Sequence, residues 1–206
     1  EGQETADMNQ QALFDYAASG GRVFASHFHY AWLNTPPFSN WNLASWSPGN
    51  NNLGTIDAVV TTTLPSGAFF PKGNALAQWL GIVGALTPGG ELTVLAARHN
   101  ADVSAGNPIS QSWLDADPDA SAPGATQNFS FNTPLDAPPE GQCGQVVYSD
   151  MHVGAASDDN PMLPVPDECA AGDLSPQEKA LEFLVFNLSS CVMPSESMPQ
   201  APSPCP

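Results

Sequence analysis

Two of the four histidines in this chain of 206 residues, His27 and His29, stand two positions apart directly after the short apolar run Arg22–Ser26. A second run ends in the same way. "GRVFASHFH" (21–29) set over "GQVVYSDMH" (144–152) matches glycine, valine and serine, and places His29 over His152 and His27 over Asp150. Side chains two apart on an extended segment project to the same side. His27 therefore converges with His29, and Asp150 with His152, if each strand conformation continues that far. If the two strand ends are neighbours, three imidazoles and one carboxylate meet. That set suits Zn²⁺, and also Cu²⁺, Ni²⁺ or Fe²⁺. A metal there would activate water for hydrolysis by lowering its pKa, with Asp150 as ligand or general base. Two other readings of the same residues stay open: a metal-free polar pocket, and histidines whose hydrogen bonds only hold loops to a sheet.

Other residue types fit catalytic or binding roles less directly. Ser26 and Ser149 as nucleophiles would need a base in reach and an oxyanion hole, and the chain has no GxSxG elbow. His99 follows a third strand-like run and could join the set as a ligand or as a partner that orients one, but its spacing gives no direct support. Glu1 and Glu4 precede the first helix, where a solvated turn is the simpler reading. Tyr30, Trp32, Trp41 and Trp46 cluster after the histidine pair. They suit stacking on sugar rings, or more simply covering the core. The acidic runs at 115–119 and 157–160 lack the spacing of a Ca²⁺-binding loop.

The elements that must hold the candidate residues follow from local pattern. Asp7 reads as an N-cap for a helix with Met8, Ala12, Leu13, Tyr16 and Ala17 on one face, ended by Gly20-Gly21. Arg22–Ser26 reads as a buried parallel strand, 34–55 as loop and Ile56–Thr63 as a strand. Asn74–Leu86 reads as a second helix, Leu92–Ala97 as a strand and 100–126 as polar loop. Gln127–Asn132 alternates like an exposed or antiparallel strand, and Gln145–Ser149 reads as buried. Residues 154–173 form a Pro-Asp insertion. Ser175-Pro176-Gln177-Glu178 is a capping box opening a largely apolar helix to about Ser189. The alternation of helix and strand predicts a three-layer α/β domain with a mainly parallel sheet. Residues 1–192 make one domain and 193–206 a Pro-rich tail. Because the chain opens directly into a helix, the domain is expected to be the C-terminal portion of a larger one, lacking its first strands.

Composition narrows the partners. Four basic residues face 21 acidic ones, a net charge of −17. Such a field repels phosphate backbones and anionic membranes, which argues against nucleic-acid binding and membrane insertion. Only 12% of residues are charged, so the surface is uncharged and polar, as in exported proteins. Cys143, Cys169, Cys191 and Cys205 include no CxxC pair. An even count on this background points to an oxidising compartment and two disulfides. Cys143–Cys169 and Cys191–Cys205 are expected, since each pair brackets a loop-like segment. Sequons stand at Asn128 and Asn187.

"DYAASGGRVFASHFH" (15–29) resembles the helix–Gly-Gly–strand–His segment of ThuA-like proteins, a branch of the class I glutamine amidotransferase-like superfamily. "CGQVVYSDMH" (143–152) resembles that family's later strand ending in Gly-His, and "RHN" (98–100) a segment between them. The similarity spans roughly residues 5–30, 74–100 and 127–190, and extends to exported proteins of myxobacteria. It implies a flavodoxin-like or amidotransferase-like fold with long polar loops, and a site at the carboxyl ends of parallel strands. No cysteine stands near residue 26, so the glutaminase nucleophile of that superfamily is missing.

The expected protein is thus an extracellular or periplasmic α/β domain with His27, His29, Asp150 and His152 at the strand ends. It would bind or hydrolyse a small polar or carbohydrate-like ligand with a divalent transition metal, zinc or copper. The alternative is a non-catalytic surface or assembly component on the same fold. Its expected partners are the N-terminal portion of its own domain or another copy of the chain.

Overall fold

The computed structural model describes residues 9–118, 123–151 and 173–198. Helix α1 (Gln10–Ala18) presents Leu13, Phe14 and Ala17 to the core. It ends at Gly20, whose φ of +102° suits a residue without Cβ. Strand β1 (Arg22–Ser26) follows, then a 3₁₀ turn over His27–His29 and the short helix α2 (Tyr30–Leu33). Next come β2 (Ser45–Trp46), β3 (Asn52–Val60), α3 (Pro71–Ile82), β4 (Leu92–Arg98) and β5 (Ala101–Asp102). Strands β6 (Gln111–Ala116), β7 (Thr126–Thr133) and β8 (Gly144–Ser149) then precede helix α4 (Pro176–Ser189).

Six strands form one sheet in the order β1-β8-β7-β6-β3-β4, and β2 pairs with β5 separately. The expectation of a mainly parallel sheet is corrected here. Only β1 and β8 run parallel, while β8·β7, β7·β6, β6·β3 and β3·β4 are antiparallel. The reason lies in the connections. Parallel neighbours need a crossover of about a dozen residues or more, usually helical. The links 117–125 and 134–143 are too short for one and simply fold back. Helix α3 does separate β3 from β4, yet it leaves the sheet and returns beside the strand it left. The sheet is therefore α/β in composition without the crossover layering of a flavodoxin-like domain.

Both faces of the sheet are covered. On one, Leu76 and Leu80 of α3 and Ala180 and Leu184 of α4 pack with Ile56, Val94, Trp113 and Leu114. On the other, Ala17, Tyr30, Leu33, Phe38 and Leu43 pack with Phe129, Phe131, Val146 and Tyr148. The second cover is built largely from the 30–46 segment rather than from a long helix. Of the aromatic residues singled out there, Tyr30, Trp41 and Trp46 pack with this core, in line with the simpler reading. Tyr30 is buried, and Trp46 packs against Tyr30, Phe129 and Tyr148 at 5.4–6.1 Å between ring centroids.

Two stretches read as loop carry strands: 34–55 holds β2 and the start of β3, and 100–126 holds β5 and β6. Strand β7, expected to be exposed or antiparallel, is antiparallel and almost wholly buried. Its Asn128 is fully buried, which closes that sequon in the folded chain. Strand β1 is parallel as expected, but it lies at an edge of the described sheet and leaves Phe24 partly exposed. Cys143 and Cys191 are exposed and form no disulfide among the described residues. Cys169 and Cys205, the partners expected for them, lie outside the described residues, as do Glu1, Glu4, Asp7, His152 and the 157–160 run. Among the described residues no helix is long and apolar enough to cross a membrane.

Candidate functional site

The two look-alike segments lie side by side. Strand β1 pairs with β8 in the register Arg22↔Gln145 through Ser26↔Ser149, the same alignment read from sequence. The next residues, His27 and Asp150, therefore leave neighbouring strands at the same end of the sheet.

What happens past that point differs from the extended path. The chain turns after Ser26 into a 3₁₀ helix, and His27 takes φ +41°, a left-handed conformation that few non-glycine residues adopt. The period-two argument for His27 and His29 fails for this reason: a turn rotates successive side chains away from strand alternation. His27 is buried, with its ring stacked on Phe28 at 3.9 Å between centroids and 25° between planes. His29 is half-buried, and its Nδ1 lies 2.8 Å from the carbonyl oxygen of Ser26 and 3.3 Å from the Ser26 amide nitrogen. With its proton on Nε2 the ring accepts from the Ser26 amide through Nδ1; in the other tautomer Nδ1–H donates to the Ser26 carbonyl and Nε2 carries the lone pair that a ligand would use. This backbone contact is also the commonest way a metal-binding imidazole is oriented.

Asp150 is fully buried. Its Oδ2 accepts from the Asn100 amide at 2.5 Å, and its Oδ1 lies 2.9 Å from the Tyr148 hydroxyl. Burial pushes its pKa up to about 6, against the pull of the Asn100, Tyr148 and Ala101 hydrogen bonds and of the nearby His99. The carboxyl group thus ties the 98–102 segment to the end of β8. Asn100 extends the tie, its side-chain Nδ2 donating to the carbonyls of Ser47 and Gly49 at 2.7 Å each. His99 does not join the carboxyl group by a hydrogen bond; its Nε2 lies 2.8 Å from Oδ1 of Asp102.

Around Asp150 sits a set of polar groups that spacing alone did not single out. Gln127 is buried and donates to the Arg98 carbonyl at 2.8 Å. Arg98, also buried, uses Nη1 on the carbonyls of Ala96 and Ala97 at 3.3 and 3.4 Å. Among the described residues Arg98 Nε, Asn100 Oδ1 and Gln127 Oε1 meet no hydrogen-bond partner. Buried polar atoms are nearly always paired, so three unpaired ones within one cluster mark it as unusual. The sequence signal was present in Arg98-His99-Asn100, but Gln127 is brought in only by the β7·β8 pairing, where the Asp150 amide donates to its carbonyl at 2.7 Å.

Of the four residues expected to share a site, the structure brings His27, His29 and Asp150 to one sheet end, and His152 lies outside the described residues. Among the described residues no three His, Cys, Asp or Glu side chains stand close enough to hold a metal ion together. Ser26 and Ser149 face each other in register, with Ser149 turned to the Met151 carbonyl at 3.4 Å, and no base stands on either hydroxyl. Comparison with protein-family models, with curated proteins and with solved structures finds no match for this chain, and none of them identifies a ThuA-like or amidotransferase-like family.

Proposed function

We propose that the carboxyl end of β1 and β8 is the functional site of an exported domain that binds, or hydrolyses with a metal, a small polar or carbohydrate-like ligand. The observation that supports this most is the buried cluster around Asp150, whose Arg98, Asn100 and Gln127 keep hydrogen-bonding atoms without a partner among the described residues, at the sheet end where β1 runs into His27 and His29. Unused buried donors and acceptors cost about 1–3 kcal/mol each, and a polar ligand reaching them would recover that cost. The metal role falls to the imidazoles of His27, His29 and His152, with His29 already oriented through Nδ1. Asp150 holds the adjoining segment and serves as ligand or base. A zinc or copper ion at this place would supply a water of lowered pKa.

The test is metal content after loading with zinc or copper and desalting. Stoichiometric metal in the parent protein, lost in His29→Ala with an unchanged circular dichroism spectrum, is the expected result. A second reading, a non-catalytic surface or assembly component, is favoured by how completely Asp150 is spent on packing. Loaded protein that retains no metal, with no ligand response at Arg98 or Gln127 in amide NMR spectra, would establish that reading instead.

A further inference from the structure

A separate groove of about 570 Å³ lies toward the other end of the sheet, lined by the loops around Leu64 and Ile109, by Ser130–Asn132 of β7, and by Pro194–Glu196 beyond α4. In β7, Asn128 pairs with Ser149 at the Asp150 end, whereas Asn132 pairs with Gln145 at the opposite end. The groove is therefore not the site proposed above and does not depend on it. Its volume falls within the range of small-ligand sites, about 300–1,000 Å³.

Two of its lining residues are buried and only partly used. Ser110 and Gln111 are 1% and 7% exposed; Gln111 Nε2 donates to the Ser112 carbonyl at 2.7 Å, while Ser110 Oγ and Gln111 Oε1 have no hydrogen-bond partner among the described residues. Their neighbour Asn107 shows the contrast. Its amide is wholly committed, donating to the carbonyls of Asn42 and Leu43 and accepting from the amides of Ile109 and Ser110. The polar groups of the lining are hydroxyls, amides and backbone, and among the described residues Glu196 is its one ionisable side chain. Among them no cation stands in the lining to hold a phosphate or carboxylate, and a chain of net charge −17 repels anions. Sugar hydroxyls both donate and accept, as do the hydroxyls and amides here, and the apolar surface of Leu64 and Ile109 suits the flat C–H face of a pyranose.

We infer that this groove is a binding site for a neutral oligosaccharide, with Ser110 and Gln111 turning their unpaired atoms to its hydroxyls by rotation about their side-chain torsions. The probes are cellohexaose and maltohexaose, with hexagalacturonate as the charged control, titrated into the full ¹⁵N-labelled chain. The expected result is saturable shifts of the Ser110, Gln111 and Asn132 amides by a neutral hexasaccharide at millimolar concentration, and none by hexagalacturonate. Ser66→Trp, at an exposed lining position, should weaken binding by about tenfold or more, and Ser110→Ala by about tenfold, the scale of one lost hydrogen bond. The inference is overturned if neither neutral sugar moves these amides, if the shifts map elsewhere, or if Ser66→Trp binds as the parent does. Equal binding of hexagalacturonate would overturn the choice of a neutral ligand.

Discussion

The hydroxyl of Tyr148 lies 2.9 Å from Oδ1 of Asp150, and the same hydroxyl lies 2.9 Å from the carbonyl oxygen of His27. A hydroxyl has one hydrogen and cannot donate to both. With Asp150 ionised, one of these buried contacts sets two acceptors against each other. With Asp150 protonated, its O–H donates to Tyr148, and Tyr148 donates to His27, so every group is served.

A pH dependence follows, with a definite sign. Burial raises the Asp150 pKa from 3.8 to about 6, so the folded chain holds this proton more tightly than the unfolded one. Its contribution is most favourable below pH 3.8 and declines as pH rises to about 6. Two pKa units correspond to roughly 3 kcal/mol, an order of magnitude for this group. Asp150→Asn mimics the protonated acid and should flatten the slope over that window. Urea unfolding at a series of pH values checks this, and an unchanged slope in the variant would assign the pH dependence to other groups.

Gly144 should tolerate no side chain. A Cβ there would overlap the carbonyl oxygen of Ala17 and the hydroxyl of Thr133, which are themselves joined by a 2.6 Å hydrogen bond. Neither neighbour is the end of a flexible chain. Gly144→Ala should cost about 3 kcal/mol, the upper end for overpacking. Gly81, in α3 with open space around it, gives the contrast: Gly81→Ala should stabilise by about 0.5–1 kcal/mol. Denaturant midpoints of the two variants should therefore move in opposite directions.

Arg22 fastens three elements with one guanidinium. Nη1 donates to the carbonyls of Gly20 and Cys143 at 3.0 and 2.6 Å, and Nη2 to that of Ser190 at 3.1 Å. The ends of α1 and α4 and the start of β8 are held together in this way. Lysine keeps the charge but lacks the planar fork. Arg22→Lys should cost about 1–2 kcal/mol and speed amide exchange in the last turn of α4. Unaltered exchange there would show that packing alone secures the helix end.

The start of α4 is set by a reciprocal cap. The Ser175 amide donates to Glu178 Oε2 at 2.6 Å, and the Glu178 amide donates to Ser175 Oγ at 3.3 Å. These contacts hold the Glu178 pKa below its usual value, so their stabilisation is lost as pH falls through that lowered pKa. Ser175→Ala should cost about 1 kcal/mol, read as a lower melting temperature. A variant as stable as the parent would mean that the buried face of α4 forms the helix without its cap.

Local pattern in the sequence was enough to find α1, β1, β4, β7, β8 and α4 nearly in place, because caps, glycine stops and apolar runs act over a few residues. The register of β1 against β8 was legible too, since the two segments are near copies and parallel neighbours match residue for residue. Strand β6 was hidden by its own polarity. Ser112 Oγ, Thr61 Oγ1 and Thr126 Oγ1 all donate to Asp115 at 2.6–2.8 Å, so a buried strand carries a carboxylate that reads as loop. Only the tertiary structure decided that the sheet is mainly antiparallel, that the chain turns at His27, and that Arg98 and Gln127 gather beside Asp150. Each of these depends on which distant segments meet. That choice is made by burial and hydrogen bonding summed over the whole sheet, and no short stretch of sequence carries it.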